Sequence, residues 1–128
     1  MSNRQNISSG APWEATTGYS RAVRIGNIVE VSGTVAVVDG KVAAIGDAGE
    51  QARVALQIIL KALAEAGAKP EDVIRTRMMV TDISQWEAVA AAHAEVFRDI
   101  RPATTMVEVK GYVDPEMLVE IEVSAVIS

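Results

Sequence analysis

The sequence has no cysteine and a single histidine, His93. The first absence removes disulfides, thiolate nucleophiles and Cys-type zinc or iron–sulfur sites; the second removes any His-cluster metal site. Aromatic residues make up only 4% of the chain. The core must therefore be aliphatic, and no row of rings is available to stack nucleic-acid bases. Basic clusters are missing as well. The formal net charge is −5, which argues against a nucleic-acid partner, RNA cleavage included. No apolar run approaches the roughly 18 residues of a membrane span. The start MSNRQNISSG has neither the basic region nor the apolar run of a secretory signal. The expectation is a cytoplasmic protein with no membrane partner.

What is present is a chain of 128 residues, 49% hydrophobic and 23% charged, the composition of one globular domain spanning 1–128. Residues 1–17 are polar and hold Gly10, Pro12 and Trp13; they read as a flexible start followed by a loop. Trp13 is either packed on the body or set at a pocket rim. Strand-like runs at 19–25 and 28–33 flank Gly26-Asn27, and runs at 35–38 and 41–45 flank Asp39-Gly40. Both dipeptides are two-residue hairpin signals, so the first half reads as a meander of short strands.

Apolar residues then recur at Ala52, Ala55, Leu56, Ile59, Leu63 and Ala66, one face of a helix over about 48–66. Asp47 supplies the N-cap with Glu50 three residues on, Gly67 the C-cap, and Pro70 blocks continuation. VIRTRMMVT (73–81) is a strand. Ser84 and Glu87 suggest a capping box for a second helix over about 85–98, with Trp86, Val89, Ala90, His93, Val96 and Phe97 as its apolar stripe. Strands follow at 103–109 and 117–127. The order β-β-β-(β)-α-β-α-β-β predicts an α+β domain, a mixed sheet with two helices packed on one face.

That arrangement leaves one sheet face to be explained. In the last strand Val119, Ile121, Val123 and Ala125 alternate with Leu118, Glu120, Glu122 and Ser124. The first set suits the helix layer. The second, together with Thr104, Met106 and Glu108 from the preceding strand, mixes apolar residues with carboxylates. Arg75 and Arg77 alternate in phase and could face those carboxylates. Such a face is either solvated or the polar interface of an oligomer.

Candidate chemistry is sparse. Ser20 and Ser32 would be nucleophiles only with a base within reach, and His93 sits on an apolar helical stripe. The glycines at 46 and 49 form neither a P-loop nor a dinucleotide fingerprint. Glu120 and Glu122 share a strand face. One of them, semi-buried in a cleft, could activate a water because burial raises a carboxyl pKa; alternatively both only pair with arginines. Arg101, in the loop before Pro102, is either solvated or a bidentate clamp for a carboxylate.

Three blocks, GYSRAVRIGNIVEVSG, EQARVALQIILKALAEAGAKPEDVIRTRMMVTDISQW and RPATTMVEV…VEIEVSAV, resemble the Rid family, the reactive-intermediate deaminases also called YjgF. The likeness runs from about Tyr19 to the C-terminus. It implies a chorismate-mutase-like α+β fold, a homotrimer joined through its sheets, and small-molecule sites in the clefts between subunits. It also implies hydrolysis of enamines and imines to keto compounds and ammonia without a cofactor or metal. Matched to the family pattern, Tyr19, Ser32 and Gly33 line the site and Glu120 places the hydrolytic water. Thr104 stands where deaminating members carry a carboxylate-binding arginine, Met106 where they carry a cysteine-type residue, and Ala90 where they carry a helix asparagine. Arg101, three residues upstream in the loop and outside the strand register, is either a substitute clamp or simply solvated. The resemblance therefore implies either a hydrolase acting on C–N bonds or a non-catalytic trimer whose cleft binds a different small metabolite.

Overall fold

The computed structural model describes residues 3–128. Two elements stand where a loop was expected over 1–17. Arg4–Ile7 forms strand β1 and Pro12–Thr17 a short helix, α1; residues 1 and 2 lie outside the described part. β1 escaped the period-2 signal because only Ile7 is buried. Helix α1 is nucleated by Pro12 at its first position, and its Glu14 carboxylate, buried, gathers Ser8 Oγ (2.8 Å), Ser9 N–H (3.1 Å) and Ser9 Oγ. Burial opposes ionisation of Glu14, but these hydrogen bonds outweigh it and hold the carboxyl below its ordinary range.

Ala22–Ile25 (β2) and Ile28–Thr34 (β3) pair antiparallel about Gly26-Asn27, with Ile25 opposite Ile28. The Asp39-Gly40 turn joins Val37–Val38 (β4) to Lys41–Val42 (β5), and both turn residues take positive φ, +52° and +77°. That is the backbone of a primed two-residue turn. This ribbon is a separate two-stranded sheet, so the expected meander is interrupted after β3. Helix α2, Ala48–Glu65, begins at Asp47, whose side chain accepts Glu50 N–H. It ends as Gly67 turns to φ +86° and Ala68 N–H bonds Leu63 O at 2.8 Å.

Val73–Val80 (β6) leads through a 3-10 turn, Ile83–Gln85, into helix α3, Trp86–Phe97. The expected Ser84–Glu87 box is not formed. Asp82 is the cap, accepting Ser84 N–H at 3.0 Å and Ser84 Oγ–H at 2.7 Å, and Gln85 at the N-cap of α3 makes no side-chain bond. The inserted 3-10 turn moves the capping position two residues upstream. Ala103–Glu108 (β7) and Val119–Val126 (β8) complete a six-stranded sheet in the order β1-β2-β3-β8-β6-β7, with only β6 and β7 parallel among neighbours.

Both helices pack on one face. Val119, Ile121, Val123 and Ala125 of β8 are buried there with Leu56, Ile59 and Leu63 of α2. Leu118, Glu120, Glu122 and Ser124 point to the other, bare face, as alternation required. Arg77 on β6 reaches Glu122 across the strands at 3.2 Å, an exposed pair that contributes about 0–1 kcal/mol. Arg75 instead donates to Thr105 Oγ1 at 2.8 Å. One face assignment is overturned. The parallel register sets Thr104 beside Thr76 and Met106 beside Met78, both buried in the helix layer, so Thr104, Met106 and Glu108 lie on the covered side. Thr105 and Val107 share the bare face with the β8 carboxylates. Among the described residues no helix is long and apolar enough to cross a membrane.

Gln51 ties α2 to the start of β8. It is fully buried; its amide donates to Glu116 O at 2.9 Å and accepts Leu118 N–H at 2.8 Å. Its amide also reaches Ala44 O at 3.4 Å, so Gln51→Leu strands up to three backbone groups, and we expect it to cost about 1–3 kcal/mol for each group left unpaired, read by chemical denaturation.

Candidate functional site

The site begins with a bulge. Val31 of β3 pairs with Val123 of β8, yet Thr34 pairs with Ile121: three steps along β3 match two along β8. The extra residue lets Val31 and Thr34 both bury on the helix side and reorients the backbone between them. Gly33 is thereby brought against the neighbouring carboxyl. A Cβ built on Gly33 would lie 2.6 Å from the carboxyl carbon of Glu120 and 2.7 Å from Oε2. Glu120 can hold its carboxyl there only because position 33 has no side chain.

Arg21, buried, fixes this corner from below. Its Nη1 donates to Gly33 O at 2.7 Å and to Thr34 Oγ1 at 3.0 Å. Its guanidinium carbon stands 5.5 Å from the centre of the Tyr19 ring, with Nη2 3.4 Å from the Tyr19 hydroxyl. On the far side Tyr112 donates its hydroxyl to Met79 O at 2.6 Å. The Tyr112 pKa is pushed up by burial and by the charge of Glu120, so the phenol stays protonated. The Glu120 carboxylate accepts no hydrogen bond among the described residues. Burial, then repulsion from Glu122, raises its pKa, and the nearby Arg21 charge offsets only part of that. A partly desolvated carboxylate with free lone pairs is a competent general base.

These groups open on a cleft of about 1320 Å³. Tyr19, Arg21, Gly33, Tyr112 and Glu120 line it, and the half-exposed Trp13 of α1 stands on its wall. Trp13 is thus a cleft residue. Arg21 and Tyr112 were missed from the sequence, because each acts through a backbone carbonyl that folding brings near. Ser32 is adjacent but outside the cleft lining, and its hydroxyl is committed to Ser20 O at 2.7 Å. Arg101 has φ +60° and terminates α3, its N–H bonding Phe97 O at 2.8 Å; its side chain is exposed.

Thr104 and Met106 lie elsewhere in the chain's fold. Thr104 Oγ1 meets Thr76 Oγ1 at 2.8 Å, and Thr76 Oγ1 meets His93 Nε2 at 2.9 Å. His93 packs its ring on Phe97, with centroids 4.7 Å apart, and burial lowers its pKa. The predicted site residues therefore form two groups on opposite faces of one sheet, Tyr19, Gly33 and Glu120 on one side and Thr104 and Met106 on the other. Among the described residues no group of three or more His, Cys, Asp or Glu is placed to hold a metal ion.

The family model described as Endoribonuclease L-PSP matches residues 9–127. An uncharacterized protein of Streptomyces coelicolor is 40% identical over 121 residues, 94% of this chain and 90% of that one. The 3-aminoacrylate deaminase RutC of Acinetobacter baylyi is 36% identical over 104 residues, 80% of this chain and 82% of that one. Among solved structures, a member of the YjgF/YER057c/UK114 family from Mycobacterium tuberculosis superposes with a TM-score of 0.88 at 48% identity, covering 97% of this chain and 99% of that one. The YjgF gene product of E. coli superposes with a TM-score of 0.78 at 28% identity, covering 94% and 92%.

Two outcomes follow from the Gly33–Glu120 contact. A carboxyl whose folded-state pKa is raised weakens folding when it ionises. Its contribution is intact below the unfolded value and lost as pH rises through the folded one. Glu120→Gln should therefore raise the thermal midpoint at about pH 7 and change it little at about pH 4, near the ordinary carboxylate value. Gly33→Ala should displace the flexible carboxyl rather than unfold the chain, keeping stability within about 1 kcal/mol. Adding Glu120→Gln to Gly33→Ala should then give no further pH-dependent gain.

Proposed function

This chain belongs to the Endoribonuclease L-PSP family, the YjgF or Rid proteins, and on that premise we propose that it hydrolyses imines, with Glu120 as the base. The observation that carries the reading is the Glu120 carboxyl itself: seated on Gly33, half-buried, raised in pKa and accepting no hydrogen bond from the described residues. In the proposed reaction Glu120 takes a proton from water as the water oxygen bonds to the C=N carbon. The π electrons pass to nitrogen, which receives that proton. The carbinolamine hydroxyl then passes its proton through Glu120 to the amino nitrogen, which leaves as ammonia as the C–N bond breaks and the C=O bond forms. The reaction balances: an imine and a water molecule give a carbonyl compound and ammonia, with no cofactor in any step. The 36% identity to a protein named 3-aminoacrylate deaminase supports this chemistry over others.

The separation of Glu120 from Thr104 and Met106 supports a site completed between copies. The bare face carries the half-exposed apolar residues Ile25, Ile28 and Val107 beside its ion pair, the mixture of an oligomer interface. In our reading three copies join there, and the cleft of one copy meets the β7 edge of the next. Tyr19 and Gly33 shape the floor beside Glu120, while Thr104 and Met106 close the opposite wall. Arg101, exposed at the same edge, would approach the ligand from the rim.

A second reading has one specific observation behind it. Thr104 occupies the place where the resemblance leads one to expect an arginine. Losing a charge-assisted contact of about 1.5–3 kcal/mol would leave a trimer that binds a small metabolite without turnover. Endonucleolytic action on RNA is opposed by the net charge of −5.

Ammonia release from freshly generated 2-aminoacrylate, and from an oxidase-generated alkyl imine, separates the readings. For at least one of them we expect acceleration over spontaneous hydrolysis, reduced about 100-fold or more in Glu120→Ala. The acid limb of the kcat/KM profile should lie above the ordinary glutamate range. Ligand-induced stabilisation with no acceleration would favour binding alone. Sedimentation should give a species of three times the subunit mass; a lone subunit at micromolar concentration would remove the shared site.

A further inference from the structure

We propose that the site takes imines carrying no carboxylate, the kind formed by oxidation of amines rather than of amino acids, because a hydroxyl chain anchored on His93 turns Thr104's only hydrogen-bonding group away from the ligand. This inference rests on the reading of Glu120 and Thr104 as two walls of one site.

Proton counting sets the direction of the chain. Each threonine hydroxyl has one proton to donate. Thr104 Oγ1 donates to Pro102 O at 3.0 Å. At its 2.8 Å contact with Thr76 it must therefore accept, and Thr76 donates. Thr76 must in turn accept at the 2.9 Å contact with His93, so Nε2 carries the ring proton. Thr76 is fully buried, and the His93 ring rests on the buried Phe97. Both ends of the chain are held. Thr104 is nevertheless an exposed residue. With its oxygen engaged inward, the part of its side chain that meets a ligand is the methyl group. His93 is a positioning residue here: it touches no ligand and sets what Thr104 presents.

The opposite wall gives an independent reason. Asp39, Glu65, Asp114 and Glu116 line the cleft around Glu120, against Lys41 and Lys61. The remaining cation, Arg21, is buried, its Nη1 engaged by Gly33 O and Thr34 Oγ1 and its Nη2 by the Tyr19 hydroxyl at 3.4 Å. A substrate carboxylate entering this cleft meets an excess of like charge and no free fork to bind it. An imine without a carboxylate meets no such repulsion. The reaction supplying such a substrate is an amine oxidation or dehydrogenation, and the products are an aldehyde or ketone and ammonia.

The discriminating pair is the imine generated from butylamine by an amine oxidase and the imine generated from norvaline by an amino-acid oxidase, which differ only by the carboxylate. For the native trimer we expect kcat/KM on the butylamine imine to be higher by on the order of tenfold or more. Thr104→Arg should reverse the order. His93→Ala, which removes the donor that fixes the direction of the chain and so lets the Thr104 hydroxyl reorient, should narrow the preference, and His93→Gln, which keeps a donor near Thr76, should restore it. The 15N shifts of His93 should report the proton on Nε2. A native preference for the norvaline imine, an unchanged order in Thr104→Arg, or a proton on Nδ1 would each overturn the proposal. If the native protein accelerates neither imine, the Glu120 reading fails, and calorimetric titration still decides the selectivity. Tighter binding of 2-pentanone than of 2-oxopentanoate upholds it; the reverse, or binding of neither, overturns it.

Discussion

A carboxyl group resting on a residue without a side chain is the contact on which the chemistry proposed for this molecule depends. Glu120 alternates onto the bare face of β8 as any strand residue in its phase would. What makes it more than a surface acid is the bulge in β3, which turns Gly33 toward it, and Arg21, which holds Gly33 and Thr34 in that bulged shape. The carboxyl is crowded against backbone, shielded from much of the water and repelled by Glu122. Its basicity rises for the same reason that its position is fixed.

The sheet's two faces divide the labour. One carries the aliphatic core under α2 and α3; the other carries paired charges, half-exposed isoleucines and Glu120, the proposed base. Thr104, Thr76 and His93 belong to the covered side, at the edge strand β7. A ligand touching both Glu120 and Thr104 needs the edge of one copy set against the cleft of another. The same geometry explains why the bare face is neither fully apolar nor simply solvated. In the proposed trimer it would exclude water at a few contacts and still set register through Arg77 and Glu122, a role for charged pairs that does not require them to add net stability.

Much of this was legible in the sequence where local periodicity and folded environment agree. Helix α2 announces both its ends through Asp47 and Gly67, and β8 declares its buried face through Val119, Ile121, Val123 and Ala125. Alternation in β7 was equally clear, but it shows only which residues share a face. That Thr104 and Met106 face the helices is decided by pairing to Thr76 and Met78, which spacing within one strand does not encode. β1 was hidden because an edge strand with one buried residue has no pattern to detect. Ser84 misled because a 3-10 turn placed the cap on Asp82. Arg21 and Tyr112 carried no signal at all, since their partners are backbone carbonyls distant in the chain. Alternation offered Glu120 and Glu122 as candidate bases, family resemblance singled out Glu120 and added Gly33, and the structure supplies a physical reason for the pair: the glycine makes room for the acid.

The most direct test is a 13C NMR titration of the Glu120 side-chain carboxyl in the assembled native protein. A midpoint clearly above the ordinary glutamate value of about 4.3 is the result predicted for a carboxyl seated on Gly33 in a partly dry cleft. A midpoint at or below that value would mean that the group is solvated or ion-paired, and the base on which the proposed hydrolysis depends would not exist.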